Sequence, residues 1–327
     1  MREGIRSLPH SRLGRDVPAP AGAPQGARAV EVAAQAKVNL RLRILARESS
    51  GYHQLETLFL RLELADAIRI RRTQGTRSLD VVGPVDPKLL GPVERNLAWR
   101  AATAYIEESR MTGGFAIELS KQIPIGGGLG GGSADAGAVL RALDAMNPVA
   151  IGWHALAGLA KRLGADVPFL TSEATYALAW GRGERMLALP PPPARDVVLV
   201  VPSFAVHTAQ AFGWLAAGPV PSRDEEHPTP FTAEALSDWD GVVAVARNDF
   251  ELVVAEQHPV IADHAAALRF AGCRIAMLTG SGSTVFGIAE SSVGAERVIR
   301  ALPSAREGAR YIHTRTAVRV EPVVVIE

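Results

Sequence analysis

Lys121-Gln-Ile-Pro-Ile-Gly-Gly-Gly-Leu-Gly-Gly-Gly-Ser-Ala-Asp-Ala136 is the stretch whose reading decides the fold. Six glycines run from Gly126 to Gly132, interrupted only by Leu129. Upstream, Phe115, Ile117 and Leu119 alternate with smaller or polar residues, the period of a strand. Downstream, Ser133 and Asp135 open an apolar run through Val139, Leu140, Leu143 and Met146, which marks a helix start. Strand, glycine loop and helix N-terminus in that order wrap backbone N–H groups around a phosphate. Glycine removes the Cβ that would block close approach, and the first helical turn leaves its N–H groups without intrahelical partners. A merely flexible loop needs no strand and helix flanking it so tightly.

Two familiar phosphate loops fail on their own requirements. A Walker A loop ends in Gly-Lys-Ser/Thr, and no lysine follows these glycines. Gly-x-Gly-x-x-Gly does occur at Gly126, Gly128 and Gly131. A dinucleotide fold, however, also needs a strand after the helix, ending in an acidic residue about 20 positions on. Asn147-Pro148 and a second helical pattern stand there instead. The loop belongs to another kind of nucleotide binder.

The chain has 327 residues, 47% of them hydrophobic, enough for two domains with their own cores. Its formal net charge of +1 favours neither nucleic acid nor an anionic membrane as partner. One cysteine, Cys273, excludes an internal disulfide and suits a reducing, cytoplasmic setting; its apolar neighbours make it a packing residue. No apolar run approaches the ~20 residues of a membrane span. The eight histidines include no pair at metal spacing, His258 and His264 being six apart.

In chain order, residues 1–28 are rich in Arg, Pro, Ala and Gly without hydrophobic periodicity, which predicts a disordered tail. From Ala36, apolar Val38, Leu40, Leu42 and Ile44 alternate with Lys37, Asn39, Arg41 and Arg43, a half-buried strand. Arg41 and Arg43 read as solvated; Lys37 and Asn39 stand side by side on the same polar face. Ser49-Ser50-Gly51 turns into Tyr52 and His53, an aromatic and an imidazole able to stack on a ring. Short strands are predicted over 67–70 and 79–82, and helices over 93–109 and from Trp153 to Leu163. Gly164 ends the second of these helices, and Pro168 forbids its continuation. Asp166 thus sits on a tight turn where its carboxylate either holds a distant partner or satisfies local N–H groups. A hairpin over 175–189 precedes the four prolines of 190–193, where the domain boundary is placed. Beyond it come a strand over 197–201, a helix capped by Thr208, a polar loop over 217–230, and helices over 247–257 and 260–271. Strands at 275–278 and 284–288, a helix over 293–302 and a terminal strand complete the pattern. Segregated strands and helices argue for the α+β class, in three parts: 1–28 tail, 29–194 and 195–327.

Four stretches together resemble one family. They are Ala36-Lys37-Val38-Asn39-Leu40 with Gly51-Tyr52-His53 and Thr57-Leu58-Phe59; Pro124 to Ala136; Leu163-Gly164-Ala165-Asp166-Val167-Pro168; and Thr279-Gly280-Ser281-Gly282-Ser283. The chain resembles the GHMP kinases, the small-metabolite kinases that include galactokinase, homoserine kinase and mevalonate kinase. The Lys-x-Asn strand joined to Gly-Tyr-His, with Gly164-Ala165-Asp166-Val167-Pro168, points to members whose acceptor carries a cytidine diphosphate, and Asn248-Asp249 and Glu251 also fit their pattern. The pattern departs slightly at Ala134, where a second serine is common, and at His207-Thr208 and Phe212, where Ser-Thr and often tyrosine are expected.

The resemblance implies an N-terminal ribosomal-protein-S5-domain-2-like domain and a ferredoxin-like C-terminal domain, with the active site in the cleft between them. It implies an ATP-dependent kinase of isoprenoid precursor synthesis that phosphorylates the 2-hydroxyl of 4-diphosphocytidyl-2-C-methyl-D-erythritol. A homoserine- or mevalonate-type kinase and a non-catalytic nucleotide sensor are the alternatives; Gly51-Tyr52-His53 argues against the first, and the presence of both Lys37 and Asp166 against the second. ATP would lie on Pro124, Ile125, Gly126, Gly127, Gly128, Leu129, Gly130, Gly131, Gly132, Ser133 and Ala134. Asp166 would take the proton of the attacking hydroxyl, and Lys37 would pair with it and stabilise charge on the transferring group. Asn39, Tyr52, His53, Thr208, Phe212, Gly280, Ser281 and Gly282 would hold the acceptor. Mg²⁺ would accompany ATP, with Ser133 the candidate ligand, in a monomer or homodimer.

Overall fold

The computed structural model describes residues 27–47, 53–84, 90–217, 232–302 and 308–327. Nearly all of the expected tail, the turn with Tyr52 and nearly all of the polar loop over 217–230 lie outside these residues. The chain begins with two long antiparallel strands, β1 (Ala29–Arg47) and β2 (His53–Thr73). The two short strands expected near residue 70 and beyond are in fact the end of β2 and a separate β3 (Arg77–Val82). A 3₁₀ turn, Val93–Arg95, precedes α1 (Leu97–Ser109), so the expected helix starts four residues late. The cause is Asn96, whose side-chain oxygen accepts the N–H of Ala98 at 2.8 Å and caps the helix there. Next come β4 (Gly114–Ser120), the glycine loop, α2 (Gly131–Met146) and α3 (Gly152–Leu163).

Pro168 does not simply stop a helix; it opens one. Asp166 immediately precedes the short α4 (Val167–Thr171), with proline in the first turn, where its missing N–H costs nothing. The hairpin β5 (Tyr176–Gly181) and β6 (Arg185–Ala188) follows. The remaining elements are β7 (Asp196–Val201), α5 (Thr208–Ala217), α6 (Trp239–Val245), β8 (Arg247–Asn248), α7 (Phe250–Gln257) and α8 (Val260–Phe270). The chain ends with β9 (Ile275–Leu278), β10 (Val285–Ile288), α9 (Ser292–Ala301), β11 (Arg310–Arg315) and β12 (Val324–Val325). The helix expected from residue 247 begins only at Phe250, because Arg247 and Asn248 pair in parallel with Arg41 and Leu42 of β1.

Two sheets result. The larger runs β12-β1-β2-β4-β3, with β5 and β6 continuing from β2 and β8 on β1; the smaller runs β11-β7-β10-β9. In the smaller sheet β7, β9 and β10 are buried on both faces, while β11 forms a more exposed edge. Val197, Leu199, Phe286 and Ile288 join the main core with Val38, Leu40 and Phe59, while Val198, Val200, Val285 and Leu278 join a second core under α5, α7, α8 and α9. Period-two side-chain alternation makes this possible, and an all-apolar strand such as β7 records it. β1 passes from one core to the other, since Leu42 belongs to the second. Register shifts between Gln35 and Lys37, and again between Asn39 and Arg41, show β-bulges on either side of the Lys37–Asn39 pair. Bulges re-aim side chains, and here they bury both polar ones, each to 2% exposure. Arg41 is not solvated as expected: it is largely buried, pairs with Glu56 at 2.7 Å and donates to the Val245 carbonyl.

Helix α2 is buried on every side from Ala134 to Met146, packing on β1, β2, α1 and α4. Gly137 lets α4 approach: a Cβ there would stand 2.6 Å from the backbone of Leu170. Gly137→Ala therefore costs stability despite alanine's better helix propensity, by about 1–3 kcal/mol. Urea unfolding checks this, and an unchanged or higher midpoint would contradict the close packing.

Candidate active site

One cavity of about 520 Å³ runs beside the glycine loop. The loop is sewn down on both sides. The Lys37 N–H donates to the Leu129 carbonyl at 3.0 Å, and the Thr284 N–H donates to the Gly127 carbonyl at 3.2 Å. Gly128 has φ +78°, and a Cβ on it would stand 2.2 Å from the Thr279 carbonyl oxygen. Conformation and space both demand glycine there. Leu129, the loop's one side chain, is buried in the main core. The first α2 hydrogen bond runs from the Ala134 N–H to the Gly130 carbonyl, leaving the N–H groups of Gly131, Gly132 and Ser133 outside the helical ladder. This is a cradle for an anion, reinforced by the helix dipole.

Lys37 stands against the loop. Its Nζ donates to Asn39 Oδ1 at 2.7 Å and to the Gly128 carbonyl at 2.9 Å, and lies 3.3 Å from Asp166 Oδ2. Asn39 in turn donates to Thr57 Oγ1 at 2.8 Å, while its Oδ1 accepts the Gly280 N–H at 3.0 Å. Asp166 makes no side-chain cap to its own helix, so its carboxylate is not spent on local N–H groups. The other end of α4 is held by the buried Arg61, which donates to the Phe169, Ser172 and Ala174 carbonyls at 2.8 Å. Burial, aided by nearby Arg141, pushes the Arg61 pKa down to about 9.

Beyond the loop and the Lys37–Asp166 pair, the cavity lining falls into two groups of residues. One is an apolar recess of Val81, Leu90 and Leu97 beside Asn96, Lys121 and Ile125. The other comprises Leu42, Ile44, Leu55, Phe212 and Phe250, with Thr57, Thr208 and Ser281 as polar groups. Thr208 and Ser281 share a hydrogen bond at 3.0 Å between their hydroxyls. Asn248 fixes the wall from behind, donating to the Leu278 and Gly280 carbonyls at 2.8 Å each.

Of the residues expected from the sequence, Lys37, Asn39, the loop from Pro124 to Ser133, Asp166, Thr208, Phe212, Gly280 and Ser281 line this one cavity. Three do not. Ala134 is buried within α2, its N–H closing the first helical turn. Gly282 faces the Leu278 side chain, and its N–H is spent on the Thr279 carbonyl. His53 lies behind Phe212, the rings stacked at 4.4 Å and 16°. Tyr52 is outside the described residues. The sequence reading missed the recess of Val81, Leu90, Asn96 and Leu97; Asn before an apolar helical run was its only local signal. It also missed Arg61, which no motif marks.

Comparisons with known proteins follow the same outline. The models for the GHMP kinases N terminal domain and the GHMP kinases C terminal match residues 96–173 and 232–307. The chain is 38% identical over 263 residues to the 4-diphosphocytidyl-2-C-methyl-D-erythritol kinase of Solibacter usitatus, covering 78% of this chain and 79% of that one. It is 37% identical to the protein of the same name from Parvibaculum lavamentivorans, covering 85% and 95%. A crystal structure of a 4-(cytidine 5'-diphospho)-2C-methyl-D-erythritol kinase superposes with TM-score 0.69 at 33% identity, covering 88% of this chain and 99% of that one. A homoserine kinase from Cytophaga hutchinsonii superposes with TM-score 0.65 at 16% identity, covering 91% and 98%, a likeness of fold.

Asn39 is the joint of the polar cluster, and Asn39→Ala leaves the Lys37 ammonium and the Gly280 N–H short of an acceptor. The expected cost is about 1–3 kcal/mol in urea unfolding. No loss of stability would show that these bonds are replaced by water.

Proposed function

The chain belongs to the GHMP kinase family, and we propose that it phosphorylates the 2-hydroxyl of 4-diphosphocytidyl-2-C-methyl-D-erythritol with ATP, releasing ADP. The observation that carries the reading is the Lys37–Asp166 pair, 3.3 Å apart, lining one cavity together with the glycine loop and the aromatic side chains Phe212 and Phe250. Identity of 33–38% to relatives named as kinases of this acceptor supports the choice of substrate.

The purine fits the recess of Val81, Leu90 and Leu97, and the phosphates fit the N–H groups of the loop and the first turn of α2. The acceptor's cytosine has Phe212 as a stacking surface, with His53 behind it, and its polyol has Asn39, Thr208, Gly280 and Ser281 as polar neighbours. In the transfer, the hydroxyl oxygen forms the new bond to the γ-phosphorus as the bond to the bridging oxygen of ADP breaks. The hydroxyl proton passes to Asp166. Lys37, already fixed on the Gly128 carbonyl and Asn39, places its positive charge between the nucleophile and the cradle. Phosphoryl transfer depends on such positioning and charge neutralisation more than on covalent chemistry. Mg²⁺ would neutralise charge on the β- and γ-phosphate oxygens. Among the described residues no group of three or more His, Cys, Asp or Glu could hold a metal ion. The phosphates would therefore hold most of it, with the Ser133 hydroxyl as the candidate protein ligand.

We assign the cradle, Lys37 and Asp166 to a 29–194 domain and the wall bearing Thr208, Phe212 and Ser281 to 195–327. No described helix is long and apolar enough to cross a membrane; a cytoplasmic setting is our reading, with Cys273 buried and its thiol pushed up to about 11 by that burial.

ADP release by the purified protein is measured with the diphosphocytidyl acceptor, homoserine and mevalonate in turn. Turnover of either of the last two without the first would overturn the proposal. Asp166→Asn is expected to lose at least ~10²-fold in kcat with little change in the KM for ATP. Unchanged turnover would remove Asp166 from the base role.

A further inference from the structure

Lys37 holds the Asp166 carboxylate, which makes no cap to its own helix. A turn from a distant element stands behind it. Between β5 and β6 the chain reads Gly181-Arg182-Gly183-Glu184, and Gly183 and Ala165 both line the cavity with Asp166. Gly183 is buried and has φ +99°. A Cβ built on it would stand 2.4 Å from the Ala165 carbonyl oxygen, 3.1 Å from the carbonyl carbon and 3.4 Å from Cα. That carbonyl belongs to the peptide joining Ala165 to Asp166. The turn therefore presses, backbone on backbone, against the last peptide before Asp166, and only glycine comes so close.

Glu184 gives the turn its shape. Its Oε2 accepts the Arg182 N–H at 2.7 Å, and its Oε1 accepts from the Lys161 ammonium at 3.2 Å. Gly181 leaves room for this carboxylate, since a Cβ there would stand 3.0 Å from Glu184 Oε2. Burial works against the charge on Glu184. The backbone N–H groups of Glu184 and Arg182, with Lys161, outweigh it and hold the pKa below the usual carboxylate range. Lys161 lies in the last turn of α3, the helix whose end leads into Asp166. One carboxylate thus joins the turn to the segment it presses on. The sheet fixes the other side: Gly181 pairs with Leu55 of β2, and the Gly183 N–H donates to the Trp180 carbonyl at 3.3 Å.

We propose that Gly183 and Glu184 are positioning residues for Asp166: the β5–β6 turn is a wedge that sets where the carboxylate stands relative to Lys37. The inference rests on the assignment of Asp166 as the proton acceptor above. A side chain on Gly183 forces the Ala165 carbonyl to move, and with it the peptide shared with Asp166. A misplacement of about 1 Å costs about 10²-fold in rate. Loss of the Glu184 carboxylate loosens the turn without pushing it, so its effect is of the same kind and smaller. The bonds that fasten the glycine loop, from Lys37 to Leu129 and from Thr284 to Gly127, do not involve the turn, so ATP binding is left alone.

The test is steady-state kinetics of the full chain with ATP and the diphosphocytidyl acceptor. Gly183→Ala and Glu184→Ala are each made in the wild type and in an Asp166→Asn background. In the wild type, Gly183→Ala is expected to lower kcat about tenfold or more, with the KM for ATP within about twofold. Glu184→Ala is expected to lower kcat about threefold. In the Asp166→Asn background neither change should lower kcat further by more than about twofold, because the group they place is no longer a base. A merely structural loosening would lower kcat in both backgrounds. Wild-type kcat in Gly183→Ala overturns the inference, and so does an equal loss in the two backgrounds. If Gly183→Ala does not fold, an unchanged kcat in Glu184→Ala overturns it. Unchanged turnover in Asp166→Asn alone, or no ADP release by the wild type with this acceptor, overturns the kinase reading beneath it instead.

Discussion

A buried ammonium with three partners from three segments organises the molecule. Lys37 Nζ is shared among Asn39 on its own strand, the Gly128 carbonyl of the loop and the Asp166 carboxylate at the head of α4. A charge placed at 2% exposure is costly unless its donors find acceptors, so strand, loop and helix are held in one arrangement. Each partner is itself supported. Thr279 and Thr284 fasten the loop, Thr57 and Gly280 fasten Asn39, and Arg61 holds the last turn of α4 by its carbonyls. The Lys37–Asp166 pair is held in place because the ammonium is already fixed on Asn39 and the Gly128 carbonyl.

The same economy explains why the second half of the chain is needed. β8 joins β1 in parallel, and the Asp249 carboxylate accepts the Ile44 N–H at 2.9 Å. Asn248 and Glu251 then fix the end of β9, Glu251 through the Leu278 N–H at 2.9 Å. These polar contacts lead straight into Thr279, Gly280 and Ser281, the wall facing Lys37. Strands β7, β9 and β10 of the smaller sheet, apolar on both faces, are wedged between two cores and give that wall a rigid base.

How much of this could be read in advance depended on whether the signal was local. The glycine loop declared itself because glycine, strand period and helix start are properties of neighbours in sequence. Asp166 was legible as a carboxylate on a constrained turn, and the preceding helix does end at Gly164, but the new helix opening at Val167 was not foreseen. Proline is disfavoured inside a helix yet suited to its first turn, and local sequence does not say which applies. Arg41 was misread because its partner Glu56 lies on the neighbouring strand and its carbonyl acceptor, Val245, some two hundred residues away. Likewise nothing near Arg61 marks that residue, since all its acceptors are remote.

By itself the sequence determined the α+β class and the parts from which the proposed site is read: a glycine loop before a helix, one lysine on a strand and one aspartate on a turn. Backbone preferences and hydrogen-bonding capacity act over a few residues, so they are written locally. Only the tertiary structure decided which polar residues are buried and whom they serve. The bulges around Lys37, the recess beside Asn96 and the turn packed behind Asp166 all arise from packing between distant segments. Burial turns an ordinary charged residue into one that must be matched, and the match is a property of the fold.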